Sequence, residues 1–141
     1  MLYIFLALIL YTIAILIGTL ASRNLDSILL SGIVNSVSAI LPLALAFPSL
    51  SKKTFADFRF GIILAVCGGI VIALFTIALN KSYSTNKVAV VTPIVFGGAI
   101  LLTSVIGSLI FKEKLSLMEM TGLSILALGI GIIIYAKVTS V

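Results

Sequence analysis

Five long apolar runs, each separated from the next by a short polar gap, leave this chain few ways to fold. They cover roughly residues 2–19, 28–47, 60–79, 88–111 and 117–136. Each has about the length a helix needs to cross about 30 Å of hydrocarbon at about 1.5 Å per residue. The runs are continuous and do not alternate, which excludes a closed membrane barrel. Of 141 residues, 62% are apolar and 9% charged. Such a chain has too little polar surface to clothe a core in water. The reading is all-α: a polytopic membrane protein with five transmembrane helices, one domain over residues 1–141. The first run has no basic residue ahead of it and is too long for the apolar part of a cleaved leader, so it reads as the first span.

Charge falls between the runs. The net charge is +5, but the basic residues flank spans, which is a membrane-anchoring pattern and not a nucleic-acid footprint. Five spans put the two termini on opposite sides. Lys52, Lys53, Arg59, Lys112 and Lys114 then share the N-terminal side, and Arg23, Lys81, Lys87 and Lys137 the other. Five against four is a weak vote for a cytoplasmic N-terminus. The near balance leaves two readings open: one orientation masked by a small count, or insertion in both orientations.

No Asp, Glu, Lys, Arg or His lies mid-span, so the chain offers no intramembrane ion or proton relay. There is no histidine, and Asp26, Asp57, Glu113 and Glu119 all lie at or between the span boundaries. Enzyme chemistry, a metal and a cofactor are therefore not expected. The lone cysteine, Cys67, reads as a small packing residue. The gaps carry helix-start signals. Ser116 and Glu119 have the spacing of a capping box, and so do Thr54 and Asp57. Asp26 or Ser27 would cap the second helix, and Ser84 or Thr85 the fourth, after a polar turn over 80–87.

What remains is polar but neutral. Ser31, Asn35, Ser38 and Pro42 fall on one helical face of the second run. Tyr11 and Thr12 lie in the first, and Thr92, Phe96, Ala99 and Thr103 share a face in the fourth. These stripes read either as contacts between membrane helices or as the lining of a solute path. Asn35 stands out, because an amide needs several partners and lipid offers none. Gly61, Ala65, Gly69 and Ala73 form a small-residue ridge on the third run, and Gly122 and Gly129 do the same on the fifth, both suited to close helix packing or dimer contact. Pro93 lacks an N–H and is followed by Gly97 and Gly98, so the fourth run is expected to carry either a hinge or a fixed kink there.

The C-terminal part resembles one EamA-type domain of the drug/metabolite transporter superfamily. The resemblance is carried by the Ala78-Leu79 step, Thr92-Pro93, the short Lys112-Glu113-Lys114-Leu115-Ser116 turn, Gly122 and the stretch 129–134. In that pattern a Gly and an Arg stand where this chain has Lys112 and Lys114. Larger members resemble two five-helix repeats fused with inverted topology. The resemblance therefore implies that this chain is one such half, completed as an antiparallel homodimer or by a sister chain. It also implies a cavity lined by the first, third and fourth helices, here Tyr11, Thr12, Phe75, Thr92, Pro93, Phe96 and Thr103; Asn35 joins them on its own polarity. Residues 122–130 are similar, more weakly, to the last-helix dimerisation motif of small multidrug resistance proteins. Those proteins carry a membrane-embedded Glu in the first span, where this chain has Tyr11 and Thr12 as its mid-span polar groups. The function implied is transport of small metabolites, amino-acid-like or amphiphilic, by alternating access in the inner cell membrane. The alternative is a non-transporting subunit that packs beside a larger membrane partner.

Overall fold

The computed structural model describes residues 2–50, 59–112 and 114–139, with side chains except at 48–50. Lys52, Lys53, the Thr54–Asp57 capping signal and Glu113 lie outside the described residues. All regular structure among those described is helical: α1 (Leu2–Ser22), α2 (Ser27–Leu50), α3 (Arg59–Thr85), α4 (Val88–Thr92), a π-helical segment (Pro93–Gly97), α5 (Gly98–Ile110) and α6 (Leu117–Thr139). Five spans among them are long and apolar enough to cross a membrane, as the runs predict. The chain forms two compact units, Met1–Thr85 and Asn86–Val141.

In the first unit α3 packs on both α2 and α1. The turn after α1 is closed by the Asn24 and Leu25 N–H groups, both 3.0 Å from Ala21 O. Asp26 caps α2: its Oδ2 accepts from the Ile28 N–H at 2.9 Å and the Leu29 N–H at 3.3 Å. The carboxylate thus decides between the two candidate caps, and Ser27 is buried instead. Burial is concentrated at this end of the unit. Thr19 and Ser22 of α1, Ser27, Leu30 and Ser31 of α2, and Asn80 and Tyr83 of α3 are buried. Residues 2–14, 36–45 and 59–72 are exposed throughout. The three helices therefore bury side chains against one another mainly where α1 ends, α2 begins and α3 ends.

The third helix corrects the expected turn over 80–87. It runs six residues past its apolar stretch, to Thr85. Asn80 and Tyr83 are buried in this extension. The hydroxyls of Ser82, Ser84 and Thr85 bond back to carbonyls of their own helix, Ala78 O or Lys81 O, at 2.8–3.1 Å. Polar residues continue a helix when their side chains are satisfied within it. For the same reason neither Ser84 nor Thr85 caps the next helix. Its N-cap is Lys87, with extended backbone and no side-chain cap bond.

In the second unit α6 packs chiefly on the π segment and also on α5 and α4. Helix α5 stops at Phe111, whose N–H reaches Gly107 O at 2.8 Å. Lys112 then adopts φ 55°, which turns the chain toward α6. The start of α6 is the expected capping box. The Ser116 N–H donates to Glu119 Oε2 at 2.7 Å, and the Glu119 N–H donates to Ser116 Oγ at 3.3 Å. At its other end, Lys137 Nζ donates to Asn86 Oδ1.

Candidate functional site

The residues expected to line a path fall in both units: Tyr11, Thr12, Asn35 and Phe75 in the first, and Thr92, Pro93, Phe96 and Thr103 in the second. Their hydroxyls and amides behave differently. Thr12 Oγ1 donates to Leu8 O at 2.8 Å and Thr103 Oγ1 to Ala99 O at 2.7 Å. A Ser or Thr satisfied by the carbonyl one turn back needs nothing from its surroundings, even in lipid. An Asn amide has more donors and acceptors than its own helix can meet. Tyr11 and Phe75 are exposed on α1 and α3.

Both asparagines of the first unit's long helices find partners across the α2–α3 contact. Asn35 Nδ2 of α2 donates to Thr76 Oγ1 of α3 at 2.9 Å, and Thr76 Oγ1 donates onward to Ala73 O at 2.9 Å. In reverse, Asn80 Nδ2 of α3 donates to Ser31 Oγ of α2 at 2.8 Å, and Ser31 Oγ to Ser27 O at 2.7 Å. Each helix thus carries a hydroxyl residue and, four positions later, an Asn. Because the helices run antiparallel, each Asn meets the other's hydroxyl. Thr76 and Asn80 were not among the residues singled out from sequence. The repeated spacing, Ser31–Asn35 and Thr76–Asn80, is a signal that finds them. The two rungs differ in access: Ser31 and Asn80 are buried, whereas Asn35 and Thr76 are half-buried.

In the second unit the expected irregularity at Pro93 is a π turn. Pro93 cannot donate to the carbonyl four residues back, and its ring crowds that carbonyl. The ladder widens over Pro93–Gly97 and returns to α at Gly98, whose N–H reaches both Ile94 O and Val95 O. Single-turn π segments inside membrane or soluble helices occur often at functional positions. Thr92, Pro93 and Phe96 are half-buried here, and Thr103 is exposed.

The glycines of this segment are not equivalent. A Cβ at Gly97 would stand 2.8 Å from Ile130 Cδ1 and 3.6 Å from Leu126 Cδ1, both of α6. At Gly98 it would meet nothing within 4 Å. Gly97 is therefore a close-packing residue that lets α6 approach the π turn. The ridge of Gly61, Ala65, Gly69 and Ala73 is open: Gly61 and Gly69 have no neighbour within 4 Å of a Cβ, and Gly61, Ala65 and Gly69 are exposed. Gly122 and Gly129 are likewise open.

The polar clasp and the π turn sit in a chain with no metal-ligating cluster among its described residues. No curated protein and no solved structure matches the chain. A family model does, over residues 1–135, and so takes in the first two spans as well as the C-terminal stretch whose motifs carry the resemblance. With a match of that extent on five helices able to span a bilayer, the chain belongs to the EamA-like transporter family.

Proposed function

We propose that this protein moves small neutral or zwitterionic metabolites, amino-acid-like or amphiphilic, across the inner cell membrane by alternating access. The observation that carries the reading is the π turn at Pro93–Gly97 inside a spanning helix of a chain in a transporter family. A π turn leaves backbone groups imperfectly paired, and such backbone is tolerated at membrane depth only where protein or a cavity surrounds it. Thr92, Pro93 and Phe96 would meet solute there. The family resemblance proposes Tyr11, Thr12, Phe75 and Thr103 as further lining residues, and Asn35 is proposed on its own polarity. Pro93, with Gly98 and its empty surroundings, supplies the bending point; Gly97 holds that point against α6.

Five spans amount to one repeat, so the proposal sets a second five-span unit opposite this one. A second copy in the opposite orientation fits the near balance of basic residues on the two sides, and a sister chain is the other candidate. The open glycine faces of α3 and α6 suit such a partner, or a larger membrane protein beside which this chain is a non-transporting subunit. Counterflow of labelled amino acids and short-chain glucosides in proteoliposomes tests the transporter reading. Exchange by the wild type that Pro93→Ala abolishes without unfolding supports it. Absence of flux from a folded dimer removes it in favour of the subunit.

A further inference from the structure

The two rungs of the α2–α3 clasp have the same chemistry but different surroundings. In the inner rung Asn80 and Ser31 are 8% and 2% exposed. In the outer rung Asn35 and Thr76 are half-buried, and beyond it residues 36–45 and 59–72 are exposed. Thr76 Oγ1 occupies one N–H of the Asn35 amide. Among the described residues nothing meets Asn35 Oδ1 or its second N–H, and no unpaired side-chain oxygen or nitrogen is sealed inside the fold. The amide oxygen is therefore accessible. It lies about 12 Å along α2 from Ser27 at about 1.5 Å per residue, well inside a span. At that depth an unpaired amide carbonyl is costly unless water or a solute reaches it.

Resting on the transporter reading above, we propose that Asn35 is a specificity-determining residue. Its Oδ1 and the N–H not used by Thr76 together bind the polar head of the solute. The amide then offers one acceptor and one donor, so it selects a head group that brings a donor and an acceptor together. Vicinal hydroxyls fit it, and so do the ammonium and carboxylate of a zwitterionic amino acid. Thr76, fixed by its own bond to Ala73 O, holds the amide plane in place and takes no part in contact.

The test measures equilibrium binding of labelled L-threonine and of hexyl glucoside to the full chain in lipid nanodiscs. Binding of one probe and not the other assigns the head group. Wild type is compared with Thr76→Val and Asn35→Leu; Asn35→Thr, whose hydroxyl satisfies itself within the helix, replaces the leucine variant where that one does not fold. Loss of a paired hydrogen-bonding edge lowers affinity about tenfold or more. The expected result is that loss in the Asn35 variants, with a smaller loss in a folded Thr76→Val, which keeps the amide and loses only the bond that orients it. A merely structural rung gives the opposite pattern: both positions destabilise alike and affinity is unchanged. That pattern, or wild type binding neither probe, overturns the proposal. Counterflow in the same preparations separates the two readings. Normal flux with unchanged KM in Asn35→Leu keeps the transporter and removes Asn35 from its specificity. Asn35-dependent binding without flux does the reverse.

Discussion

Lys112 sits at φ 55° directly after α5 ends, where the EamA-type pattern has glycine. The left-handed region costs an L-residue about 1–2 kcal/mol, whereas glycine enters it freely. The αL residue after a helix is the usual place for that exchange. Lys112→Gly is expected to stabilise the chain by about 1 kcal/mol, seen as a raised unfolding midpoint in detergent. An unchanged or lower midpoint would show that the lysine is held there by something of equal worth. Gly97 gives the opposite case. Its missing Cβ makes room for Ile130 Cδ1. Overpacking by one or more methyl groups costs about 1–3 kcal/mol in a tight contact. Gly97→Ala should lose stability at the low end of that range, and Ile130→Val, which removes the offending methyl, should restore most of it. Gly98→Ala should cost nothing by comparison. If the two alanine variants behave alike, the close approach of α6 at Gly97 is wrong. Sequence pairs these two glycines as one hinge; only the position of Ile130 tells them apart.

Between elements, the clasp of α2 and α3 is the best-defined contact of the first unit. Hydrogen bonds across membrane helices are worth about 0.6–2 kcal/mol, and the buried rung should reach the upper part of that range. A double-mutant cycle on Ser31→Ala and Asn80→Ala is expected to show coupling of about 1 kcal/mol or more, against less at Asn35 and Thr76. Equal coupling in both rungs would contradict the difference in burial. The same elements show what the sequence makes legible. Apolar runs announce all five spans, because length and continuity are properties of a single segment. The Ser116–Glu119 box and the Asp26 cap are legible for the same reason: their partners lie within three residues. The end of α3 is not. Asn80 to Thr85 look like a turn until Ser31 and the buried site of Tyr83 are in place. Pro93 signals an irregular helix, but a kink and a π turn begin with the same missing N–H. Neutral polar stripes are ambiguous at heart. Thr12 and Thr103 turn inward on their own helices, while Asn35 cannot, and only the tertiary partner reveals that its amide is half used.

For the molecule as a whole, the open matter is orientation, and here the chain's charges make a sharp expectation. Extension of α3 to Thr85 leaves Lys81 within its last two turns, still near the membrane end that Lys87 flanks. The balance of five basic residues against four therefore survives the corrected helix boundary. Orientation responds to Lys and Arg near the span ends, counted over short loops. If both orientations are inserted, removing charge from one side should shift the distribution as a titration does. Arg23→Ala with Lys137→Ala leaves five against two, and should drive the N-terminal side to the cytoplasm and the C-terminus outside. Arg59→Ala, Lys112→Ala and Lys114→Ala together leave two against four and should drive the reverse. Paired C-terminal reporters, one active only in the cytoplasm and one only outside it, read the two populations. Wild type should light both, and each variant one. Neither variant should support transport alone, because each supplies one orientation; co-expression of the two should restore it. A wild type found in one orientation only would assign the opposite half to a sister chain. Transport by a single-orientation variant on its own would remove the antiparallel dimer altogether.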